Sequence, residues 1–419
     1  MTKSEYMQAL REKLHCYNGA LQQEILEDYE QHFAEGMAAG RTEEEIIAEL
    51  GNIEDMLQEF SEEDLKQEIE AVEAQANQNG SYDTLYREVV IEGLVADVEI
   101  SASGDDQLRV NYVNEGNEAQ KLRYYFYQYE EDGVFYAGVK ERKGGSDGIK
   151  GIKGIWGLFS NGSWSSDNIE LSVEIPARIP AVKLRTTSGD LTVQRLRNQS
   201  VEAQCASGDL RLEKLRCEQL HGMTQSGDLE AEELRVGSKL KLNSTSGDLD
   251  VTDVSAPAMS LQSTSGDLRA EQVQTNNLQL QTASGDLEVD EAVSDLIHMQ
   301  TASGEIECRD VRGGTLQVVT GSGDAELEAD VEICIGKTGS GSISLEGCAK
   351  LQKVQLYSAS GDVHLDLEMV EGATIVTHTA SGDMVIRGYE ASGRSYNCSY
   401  GSGACQVEIT TASGDIEVE

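Results

Sequence analysis

Proline is nearly absent, with three residues in 419, and aromatic side chains make up only 5% of the chain. So little proline excludes a proline-rich disordered segment and permits long runs of regular structure. Basic side chains are scarce too. Lys and Arg number 33 against 75 Asp and Glu, a net charge of -42. That balance argues against a direct nucleic-acid partner, because phosphate binding needs clustered cations. No run of 18 apolar residues occurs, so no transmembrane helix is expected. The opening MTKSEYMQALREKL has no apolar core of signal-peptide type. The eight cysteines form no C-x-x-C pair. They read as reduced thiols in a cytoplasmic protein, with no metal centre and no cofactor. The six histidines are scattered, and none is paired with an acid at a motif spacing, so no catalytic residue is assigned.

What the chain has in abundance is glycine, 42 residues, and thirteen of them recur in one phrase. T-x-S-G-D followed by alternating apolar residues recurs from Ser188 onward, mostly every 19 residues, with a last copy at Ser413. Four columns keep their chemistry relative to the serine: apolar six before it, Thr or Ser two before it, and apolar three and five after it. Alternation on both sides of a glycine turn gives two short strands per repeat. The prediction is a mainly β protein, a parallel β-solenoid of about twelve 19-residue coils over residues 181–419. A coil cannot bury its apolar faces alone, so neighbours must stack. The turn glycines are Gly189, Gly208, Gly227, Gly247, Gly266, Gly285, Gly304, Gly323, Gly341, Gly361, Gly382 and Gly403. A left-handed backbone position is the expected reason for them. The aspartate column admits Glu305, Ser342 and Ala404, which suits an acceptor of backbone N–H groups better than a metal ligand. A calcium-binding ladder is the alternative, since stacked carboxylates repel. Cys205, Cys308, Cys334, Cys348, Cys398 and Cys405 fall in or beside inward columns and read as small hydrophobes.

Residues 1–76 read as a small all-α domain. Leu21, Ile25, Tyr29 and Phe33 recur every four residues as one buried face. Thr42 and Glu45 make a capping box before Ile46, and a last helix carries apolar residues from Ile53 to Val72. The segment EILEDYEQHFAEGMAAGRTEEEIIAELGNIEDM resembles the HAAS helical signalling domain, over roughly residues 1–62. The resemblance implies a protein partner for residues 1–76, a PadR-type transcription regulator, with which such domains are commonly encoded.

Residues 77–85 read as a polar linker and 86–180 as an irregular β region that caps the solenoid. Ser103-Gly104-Asp105 looks like a first copy of the turn, and Asp132-Gly133 like a hairpin turn. One passage stands apart: GIKGIKGIWGLF and the residues after it, with Lys150, Lys153, Trp156, Phe159 and Trp164. Glycine, cations and large rings suit either a lid over the open solenoid end or an exposed contact with a partner. The lid is the preferred reading, and membrane contact the lesser one.

From residue 86 to the end the chain resembles the "putative adhesin" β-repeat family of unknown function. Members often lie near envelope-stress and signalling genes. The two resemblances together imply a non-enzymatic, intracellular interaction or scaffold protein in envelope-stress or PadR-linked signalling. A surface adhesin-like or calcium-binding solenoid is the alternative.

Overall fold

The computed structural model describes residues 2–13, part of 26–37, 41–50, 77–141 and 168–419, apart from a few single positions. The chain forms two compact units. One comprises residues 1–80, 111–128 and 137–171, the other 81–110, 129–136 and 172–419.

In the first unit, helices Lys3–Lys13 and Glu43–Leu50 contribute to a core of Tyr6, Met7, Leu10, Tyr29, Phe33 and Ile46. The Tyr6 ring lies 6.0 Å from Tyr29 and 5.9 Å from Phe33. The predicted capping box is present. The Glu45 N–H donates to Thr42 Oγ1 at 3.3 Å, and the Thr42 N–H donates to Glu45 Oε2 at 2.9 Å. That backbone hydrogen bond holds the Glu45 carboxyl below its usual range. Three glutamates in the first turn suit the positive end of the helix dipole. Of the predicted apolar stripe, Tyr29 and Phe33 are buried, whereas Leu21, Ile25 and the helix predicted after Ile53 lie outside the described residues. The linker expected over 77–85 instead contains a strand, Asn77–Tyr82. The region expected to be irregular β also contains a short helix, Glu118–Arg123.

The second unit is the predicted parallel β-solenoid. Its register follows the repeat: Val182 pairs with Val201, Val201 with Leu220, Leu220 with Leu240 and Leu240 with Met259. The column continues through Leu278, Ile297, Leu316 and Cys334 to Val354. The apolar columns three and five after the serine are buried throughout, as Leu210, Leu212, Leu249 and Val251 illustrate. Two further columns are buried, four before the serine (Leu184, Ala203, Leu242) and eight after it (Leu196, Leu215, Leu234).

Both ends differ from the sequence reading. The solenoid begins before residue 181: Glu88–Glu92 and Asp97–Ala102 pair in parallel with Ala181–Thr186 and Leu191–Gln194. The phrase Ser103-Gly104-Asp105 takes no part in the stacked turn. Asp105 instead accepts from the Gln107 N–H at 3.0 Å and pairs with Arg109. At the other end the copy at Ser402 makes no coil. Gly401 and Gly403 there adopt φ of +58° and +66°, a different turn. The last copy makes a full coil and is inserted out of order. Cys405–Ser413 lies between Lys353–Ser360 and Ala373–Ser381, in parallel with both. The outer side of Ala373–Ser381 is then covered by the antiparallel strand Ser395–Ser399. Parallel stacking depends on register alone, and Val407 matches both Val354 and Ile375, so sequence order is free to differ from spatial order.

Candidate functional site

The repeated turn is the most regular chemical feature of the molecule. The Asp190 N–H donates to Asp97 Oδ1 at 3.0 Å, and Asp209 donates to Asp190 at 2.9 Å. Asp228, Asp248, Asp267 and Asp286 continue the chain, each N–H on the carboxylate of the preceding coil. Asp97, not Asp105, is therefore the first member. In the inserted region Asp415 donates to Asp362 at 2.8 Å, and Asp383 to Asp415 at 2.7 Å. Where the column departs from aspartate, the Glu305 and Ser342 N–H groups still donate to Asp286 Oδ1 and Asp324 Oδ1. The aspartate thus accepts a backbone N–H, as expected for a turn acceptor, but that N–H comes from the next coil.

The buried Thr and Ser column backs this ladder. Thr282 Oγ1 donates to the Gly266 carbonyl at 3.2 Å, Thr301 to Gly285 at 3.1 Å and Thr320 to Gly304 at 3.0 Å. Cys205 fills the same position with sulfur, accepting the Gly208 N–H at 3.1 Å.

Apart from Gly403, the turn glycines are required for space, not for a left-handed backbone. Gly285 has no positive φ, but a Cβ there would lie 2.2 Å from the Gly266 carbonyl oxygen. The same approach, 2.0–2.4 Å, recurs along the column from Gly208 to Gly361 and includes Gly414. Positive φ falls instead on a column seven after the serine: Arg195, Lys214, Glu233, Asp253, Gln272, Glu291 and Asp310, between +47° and +60°. The sequence gives no glycine signal for it. The predicted hairpin turn does use positive φ, at Asp132 (+50°) and Gly133 (+73°).

Several middle coils show solvent two chemically different faces. The strand after the turn points Glu230, Glu232, Asp250, Glu271, Glu288 and Asp290 outward. The strand before it points Asn243, Ser260, Gln262, Gln279, Gln281 and Gln300 outward. Among the described residues, one group brings metal-ligand atoms within 4.8 Å of one another: His364, Glu417 and Glu419. They lie at the surface, with His364 Nδ1 3.4 Å from Glu417 Oε2. Cys205, Cys308, Cys334 and Cys405 are buried, Cys398 is half-buried, and Cys348 lies outside the described residues. Burial raises the thiol pKa of Cys205 and Cys308, and pushes Cys217 up to about 12. Lys150, Lys153, Trp156, Phe159 and Trp164 all lie outside the described residues.

Stacked parallel coils with a shared turn ladder define a β-solenoid repeat protein. The chain belongs to the Toastrack DUF4097 family, whose model matches residues 86–274 and 259–419. A second family model, HAAS, matches residues 5–59. No curated protein matches. A solved structure of a "putative cell adhesion protein" from Clostridium sporogenes ATCC 15579 is 8% identical and covers 82% of this chain and 98% of its own, with a TM-score of 0.17. A superposition that poor bears on neither fold nor function.

Proposed function

We propose that the protein is a non-enzymatic interaction protein in which the helical domain docks a PadR-type regulator and the solenoid acts as a scaffold. The observation that carries this reading is the pairing of two domain types in one chain, HAAS and Toastrack. The solenoid supports it physically. Its turn carboxylates are committed to holding coils together. Extended repeated faces suit recognition of a large partner. No described helix is long and apolar enough to cross a membrane, and we place the protein in the cytoplasm on this reading, in a pathway linked to envelope stress. Affinity capture with the full-length chain from its native cell tests it. A PadR-type regulator should be recovered and should be lost when exposed residues of the helical domain are changed. Recovery of the protein from the cell surface by mild protease treatment of intact cells would instead favour the adhesin-like alternative.

A further inference from the structure

The interval from Ser226 to Ser246 is 20 residues, one more than the usual 19. The extra residue produces a bulge. Cys217 pairs with Val236, but Gln219 pairs with Lys239, so the register shifts between them. Gly237 sits in the bulge, and the Glu218 carboxylate occupies the space its missing side chain leaves, 2.6 Å from where a Cβ would be. The result is a cleft of about 440 Å³ bordered by Arg197, Asn198, Arg216, Glu218, Arg235 and Gly237.

Two features of its lining are out of character with the rest of the molecule. The three arginines occupy the same position, nine after the serine, in three consecutive coils of a chain whose net charge is -42. Arg235 is held by Asp253, at 2.8 and 3.0 Å. Arg197 and Arg216 are exposed and have no ion pair among the described residues. Stacked coils lie about 4.8 Å apart, so two guanidinium groups in adjacent coils can grip one oxyanion. The second feature is Asn198, 4% exposed. Its Nδ2 donates to the carbonyls of Ile179 at 2.6 Å and Pro176 at 3.3 Å. Both partners are acceptors, so the orientation of the amide is fixed, and Oδ1 is buried with no protein partner. A buried acceptor of this kind calls for a donor.

We propose that this cleft binds an anionic polyol, an oxyanion carried next to hydroxyl groups, as in a sugar phosphate or a uronic acid. Arg197 and Arg216 hold the oxyanion through charge-assisted hydrogen bonds. The Glu218 carboxylate, which borders the cleft, accepts from the hydroxyls. The long-range repulsion expected from the acidic chain is screened beyond about 8 Å at physiological salt, so the local cations decide the outcome.

Isothermal titration of the full-length chain tests this, with glucose 6-phosphate, glucuronate, glucose and inorganic phosphate as probes. Glucose 6-phosphate or glucuronate should bind, and which of them binds more tightly identifies the oxyanion. Glucose should not bind, and inorganic phosphate should bind more weakly than the preferred probe. R197Q and R216Q should each weaken binding about tenfold or more, the loss of a charged hydrogen bond. Both residues are exposed, so the melting temperature should not move, and R269Q on another face should bind as wild type does. Binding unchanged in R197Q and R216Q, or no binding by either anionic probe, overturns the proposal. Equal binding of phosphate and glucose 6-phosphate overturns the role given to Glu218.

Discussion

At the scale of single residues, the turn separates two kinds of demand that look alike in the sequence. Glycine and aspartate recur side by side, yet one answers to contact distance and the other to hydrogen bonding. A Cβ on residue 285 would meet a backbone carbonyl at 2.2 Å, which no rotamer relieves. G285A should therefore destabilise the solenoid by about 3 kcal/mol or more, as overpacking against fixed backbone does. D286N keeps an acceptor oxygen for the Glu305 N–H and should cost less than about 1 kcal/mol. Thermal melts of the two variants check this, and a larger loss for D286N would mean that the carboxylate charge itself is required. Thiol reactivity gives a second test at this scale. Cys308 is fully buried and its pKa is raised by that burial, whereas Cys398 is half-buried. Because the thiolate is the reactive form, alkylation of the native protein followed by peptide mapping should label Cys398 well before Cys308. Equal rates would show that the coil around Cys308 opens readily.

At the scale of the strand and turn, much was legible and one thing was not. The 19-residue spacing and the four columns suffice for a parallel solenoid, because a stacked coil needs like residues over like. The apolar column eight after the serine escaped a period-two reading for a physical reason. Strand alternation places buried residues three and five after the serine, but the left-handed residue seven after it adds a kink that shifts the phase by one. Leu196, Leu215 and Leu234 are buried as a result, and alternation alone predicts them outward. The same principle explains the glycine error. Glycine in a turn usually signals positive φ, and here the turn keeps it for closeness, while charged and amide side chains accept the strain elsewhere. That strain is measurable. Arg195 is exposed at φ +60°. Left-handed backbone costs an ordinary residue about 1–2 kcal/mol, and glycine returns part of that as unfolded-state entropy, so R195G should stabilise the protein by about 0.5–1 kcal/mol. A chemical denaturation curve decides it, and a loss of stability would show that the arginine side chain makes a contact worth more than the strain. The cleft was half visible. The interval of 20 residues and the arginines at 197, 216 and 235 are in the sequence, but the orphaned Asn198 oxygen appears only once Pro176 and Ile179 are placed beside it.

At the scale of the molecule, the order of coils in space departs from their order in the chain. A solenoid frays from its ends, since a terminal coil has a neighbour on one side only. Here the segment Cys405–Ser413 is not the terminal coil. Its strand is paired on both sides, with Lys353–Ser360 and with Ala373–Ser381, while the antiparallel strand Ser395–Ser399 forms the outer edge. The sequence could not show this, because the columns of residues 353–366, 373–386 and 405–418 are interchangeable in register, and only the packing decides which lies between the others. The consequence is an inverted protection pattern. Amides of residues 406–411 must wait for the coil outside them to leave, whereas those of residues 395–399 need only the loss of one edge strand with alternately exposed side chains. Native-state hydrogen exchange should therefore find residues 406–411 slower than 395–399, although they come later in the chain. C398P should speed exchange at the edge with a smaller effect on 406–411, since proline removes an edge donor and leaves the inner pairing intact. Faster exchange at 406–411 than at 395–399 would place the last segment at the outer end and refute the inserted order.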